Sequence, residues 1–138
     1  MKNWILMMAG VFAILMGCAN NLSYTRSSRN DIPFENRKPP SGEPSIIIAA
    51  EGPQLDPKYY DIMGNVTSQI ENILALEKHC EDAIKLLRFE ADKVGADALI
   101  DVSCSTGKFN ATASGMAISF KNREEALNVL KQIGARIQ

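Results

Sequence analysis

The sequence is poor in the groups that most catalysis and metal chemistry require. It has one histidine, His79, and three cysteines, Cys18, Cys80 and Cys104. No Gly-x-Ser-x-Gly, paired histidine or glycine-rich phosphate loop occurs, so no catalytic residue stands out. Nor is there an excess of positive charge: 15 Lys and Arg face 16 Asp and Glu, a formal net charge of −1. That removes the counterion-release basis for nucleic-acid binding. A spanning helix needs about 20 consecutive apolar residues, and the apolar run from Trp4 to Met16 falls short of it. No internal repeat is present.

What that run does have is the form of a secretory signal. Lys2 supplies the positive start, and the length suits an h-region. A buried core helix would show polar positions at helical spacing, and none occur. The run closes in Leu15-Met16-Gly17-Cys18, which resembles the lipobox of bacterial lipoproteins. The resemblance implies a signal peptide over 1–17, cleavage before Cys18 and diacylglycerol on the Cys18 thiol. In many bacteria a third acyl chain follows on the new amine. Two or three chains give a stable anchor where one is marginal. Ala19 rather than Asp after the cysteine implies sorting to the outer membrane, with the domain in the periplasm.

Residues 18–44 read as a lipidated N-terminus and flexible linker. Asn20-Asn21, Ser27-Ser28, Pro33, Pro39-Pro40, Ser41-Gly42 and Pro44 leave few apolar groups, too few to offset the entropy of ordering. The globular domain is expected over 45–138. Ser45 to Glu51 and Tyr59 to Val66 read as strands, the second with a bulge or close approach at Gly64. Ser68 and Glu71 fit a capping box, predicting a helix from near Gln69, or one broken near Asn72, that runs to Val94 with Gly95 as its left-handed cap. Ala98 to Ser105 and Ala113 to Lys121 read as strands joined through Thr106-Gly107-Lys108. Ala98, Ile100, Val102 and Cys104 fall on one face of the first, and Asp101 on the other, a solvated position rather than a buried acid. Small Gly115 and Ala117 would admit a closely packed helix. Asn122 and Glu125 cap a closing amphipathic helix. The fold class is α/β (α+β): a small sheet of about four strands, one main amphipathic helix on it, and a C-terminal helix.

If Cys18 carries lipid, two cysteines remain in an exported domain, which favours a disulfide. From Cys80 to Val94 a helix rises about 21 Å. From Ala98 to Cys104 a strand rises about 20 Å. A tight turn at Gly95 would therefore bring Cys104 level with Cys80. The alternative is two buried thiols.

Ile62-Met63-Gly64-Asn65-Val66, Leu87 through Ile100 with its Gly95-Ala96-Asp97-Ala98 core, Val102-Ser103-Cys104 and Gly115 through Phe120 form a pattern. In it, Tyr60 to Phe120 resembles two related bacterial groups. One is the YbjQ-type domain, named for heavy-metal binding. The other is the outer-membrane sensor lipoprotein of the Rcs envelope-stress pathway, whose folded domain carries four cysteines where this one has two. The resemblance implies an α/β domain acting through envelope protein partners. The alternative is a small-ligand or metal-binding module that oligomerises into rings. A metal site is not expected. His79 and Cys80 are adjacent and diverge by about 100° on a helix, and a soft site would need Cys80 and Cys104 both reduced. No cofactor is expected either. The reading that remains is a lipid-anchored protein-binding or stress-signalling module, since tethering raises effective concentration against neighbouring proteins.

Overall fold

β-branched and aromatic runs between turn residues form strands here, and the two charged amphipathic stretches form helices. The structure, a computed structural model, describes residues 24–72 and 79–138. Within them lie β1 (Tyr24–Asn30), β2 (Ile46–Ile47), β3 (Tyr60–Asn72), α1 (His79–Lys93), β4 (Ala98–Thr106), β5 (Asn110–Phe120) and α2 (Arg123–Gln132). The fold is α+β, a five-stranded mixed sheet in the order β1-β3-β5-β4-β2. Only the β2–β4 pair is parallel.

One sheet face carries α1. Ala83, Leu87 and Ala91 of the helix, with Val94 just past its end, meet Met63, Val66, Ile70, Leu99, Ala111, Ala113 and Ala117 of the sheet. The small residues at alternate positions of β5 leave room for the helix: a Cβ at Gly115 would lie 3.5 Å from Leu87 Cδ2. The other face is covered at one end, where α2 buries Ala126 and Leu130 against Ile118, Phe120, Ala98, Ile48 and Leu55. α2 begins as its sequence expects, with the Glu125 N–H donating to Asn122 Oδ1 at 3.2 Å. After it, Gln138 and Ile47 exchange backbone hydrogen bonds of 2.9 and 3.0 Å. The chain's last residues therefore line the outer side of β2.

Four sequence expectations change. The stretch expected as linker over 18–44 contains β1, whose seven residues pair with β3 from Asn72 back to Val66. Its continuation buries Ile32, 3% exposed. Apolar content within a segment misses a strand whose order comes from pairing with a distant one. The helix expected from Gln69 is instead the far half of β3, which is paired on both edges through this span. Ser68 is fully buried there and donates to the Ala83 carbonyl; it caps nothing. The strand expected over Ser45 to Glu51 is shorter: Ile46 and Ile47 pair with β4, Ile48 bridges Ile137, and the last backbone bond of the run is from the Ala49 N–H to the Arg136 carbonyl. Finally, the face alternation of β4 breaks at Asp101, whose φ is 52°. The register shifts between Ile100 and Ser103. Leu99, Val102 and Cys104 consequently pack toward α1, while Ala98 and Ile100 pack toward α2.

Two local signals lie where the sequence put them. The register of β3 shifts between Ile62 and Gly64. Gly95 follows α1 with φ 73°.

Candidate functional site

Of the residues singled out in the sequence, Cys18 and the signal segment lie outside the described residues. Cys80 sits in the first turn of α1 and Cys104 near the end of β4. The helix and strand run back along each other, leaving the two Cα atoms 5.9 Å apart and the sulfurs 1.99 Å apart, a disulfide-distance pair. His79 opens α1. Asp101 is exposed. Among the described residues no cluster of three or more His, Cys, Asp or Glu could hold a metal ion.

Three surface features have enough structure to be weighed. The first is a strap, residues 31–45, that crosses the end of the sheet. Lys38 Nζ donates to Ser119 Oγ. That hydroxyl donates to Asp97 Oδ2 at 3.2 Å, and Asp97 also receives Arg123 NH1 at 2.8 Å and the Phe120 N–H at 2.9 Å. A lysine beside a serine suggests a nucleophile, but Ser119 is 2% exposed and its hydroxyl is held between Lys38 and Asp97. The network fastens the strap to the sheet. The second is a shallow depression of about 360 Å³ on the open sheet face, lined by Asp31, Asn65, Thr67, Asp101 and Ser114. It is polar and offers an apolar ligand little to bury.

The third is a groove of about 530 Å³ between β1 and α1, lined by Arg26 and Ser28 from the strand and Leu86, Phe89, Glu90 and Lys93 from the helix. Phe89 lies two positions from Leu87, about 200° around the helix, so it cannot join the core; it is 55% exposed. The Glu90 carboxylate is largely buried and accepts from Lys93 Nζ at 2.8 Å. The same ammonium stands 4.4 Å from the centre of the Phe89 ring. Helix-side charges in this wall are thus already paired, leaving an apolar ring and the half-buried Leu86 for contact. The opposite wall is β1, the outermost strand, and among the described residues nothing pairs with its outer edge. Sequence reasoning missed this groove because β1 was read as linker. The signal that could have found it is Phe89, a large apolar residue on the polar side of its helix.

Compared with family models, curated proteins and solved structures, the chain matches none of them.

Proposed function

We propose that the chain is a lipid-anchored envelope protein that works by binding a protein partner, a sensor-like signalling module rather than an enzyme. The observation that carries this reading is that β1 lies at the sheet edge beside the Phe89 groove, with no strand on its outer side among the described residues. An extended partner segment added to β1 would take its affinity from backbone hydrogen bonds. It would take its specificity from side chains seated against Leu86 and Phe89. The lipobox at Leu15 to Cys18 supports the anchor. Cys80 and Cys104 at bridging distance suit an exported, oxidised domain. Outer-membrane sorting rests on Ala19 and is part of the same proposal.

Photo-crosslinking in intact cells tests the partner-binding reading. A crosslinker at position 89 should give one discrete adduct with an envelope protein, and one at Gln132 of α2 should give none. The purified pair should lose binding with Phe89→Asp, a change at an exposed site that leaves the fold intact. Equal adducts from both positions, or a pair indifferent to Phe89→Asp, would overturn it.

A further inference from the structure

The register of the sheet places three features at one end. Tyr24, the first residue of β1, faces Asn72. Glu71 beside it faces Asn110, the first residue of β5. The β4–β5 connection, Gly107-Lys108-Phe109, therefore projects from the same end as the point where the chain enters β1. Between β1 and β5 lie two strand spacings, about 10 Å. From Cys18 to Tyr24 the chain has six Cα steps, which extend at most about 21 Å. A bilayer holding Cys18 cannot be far from this end of the sheet.

The connection itself suits such a surface. Phe109 is 49% exposed, and Lys108 Nζ lies 5.2 Å from the centre of its ring. Ring and ammonium side by side match the boundary between acyl chains and lipid phosphates, where the aromatic body goes inward and the charge stays in the headgroups. Gly107 N–H donates to the Asn110 carbonyl at 2.8 Å, so part of the turn's backbone is satisfied before it meets lipid. The more exposed Phe34, at 85%, sits elsewhere. Its turn is tied to β3 through Asn36 Nδ2 and the Met63 carbonyl at 3.3 Å. Met63 is nine residues along β3 from Asn72, about 30 Å away.

We infer that the domain stands end-on at the membrane, with the Lys108–Phe109 turn seated in the headgroup layer beside the lipid on Cys18. This rests on the anchored reading above. The lipid supplies attachment and the turn supplies orientation, which leaves the β1 edge and the Phe89 groove running up from the surface, open to a partner.

The test uses the full lipidated protein in vesicles of phosphatidylethanolamine and phosphatidylglycerol with brominated acyl chains. Trp4 is the one tryptophan of the sequence and leaves with the signal segment, so Phe109→Trp and Phe34→Trp each give a single reporter. The mass of the N-terminal peptide is measured first. With Cys18 acylated, the tryptophan at 109 should emit to the blue and lose most of its emission to bromine, while that at 34 should emit as in water and keep it. An unquenched reporter at 109 on acylated protein overturns the orientation and leaves the anchor standing. Equal quenching at 109 and 34 means the domain lies flat, which also overturns it. An unmodified Cys18 removes the anchored reading and the orientation with it.

Discussion

Backbone conformation at two single residues decides how the chain turns back on itself. Gly95 closes α1 with φ 73°, and a Cβ there would come within 2.3 Å of the Lys38 carbonyl oxygen. The left-handed conformation and the close passage of the strap both demand glycine. Gly95→Ala should lower stability by about 3 kcal/mol, part from the backbone and part from displacing the strap, read from urea unfolding. Asp101 adopts a similar φ of 52° without being glycine, at an exposed position where its side chain carries no packing. Asp101→Gly should leave stability within about 0.5 kcal/mol. Asp101→Val, whose branched side chain resists this region, should cost about 1–2 kcal/mol. Gly95 was legible in the sequence because a helix cap is a local event. The bulge at Asp101 was not, because strict alternation reads equally well through a strand that slips by one residue.

Elements show the same division between local and distant causes. α2 begins where Asn122 and Glu125 announce it, and β5 offers α1 the small residues its sequence promises. The Ser68 and Glu71 pattern is an equally good helix signal, yet pairing of β3 with both β1 and β5 overrides it, since ladder bonds on two edges outweigh one cap. β1 could not be read at all: Arg26 to Arg29 are exposed, and the β3 residues that β1 pairs with lie 36 or more positions further along. The Cys80 and Cys104 pair joins α1 to β4 across a separation of 24 residues. Closing a loop of that length removes entropy from the unfolded chain, so reduction should destabilise the domain by about 3.5 kcal/mol. Paired thermal melts with and without reductant check this. Melting temperatures that coincide would show that the bridge adds nothing to the fold.

For the whole molecule, the chain ahead of β3 supplies both outer strands of the sheet. It leaves β1 at one edge, crosses the sheet end as the strap, and enters β2 at the other. A protein beginning at Tyr24 should fold, whereas one beginning at Ser45, the boundary the sequence suggested, should not. The latter loses Ile32 and uncovers Met63, Val66 and Ile70, all at most 3% exposed in the intact domain. Circular dichroism and size exclusion of the two proteins distinguish the outcomes: a cooperative melt from the shorter one would return residues 24–44 to the role of linker. The direction of β1 also sets how the domain bears load. A pull on the chain ahead of Tyr24, directed out of that end, runs along the strand axis, and the bonds to β3 lie across that axis. The seven residue pairs are then sheared together instead of being unzipped from one end, so the tension a tethered domain feels when its partner moves is borne by the whole length of the strand.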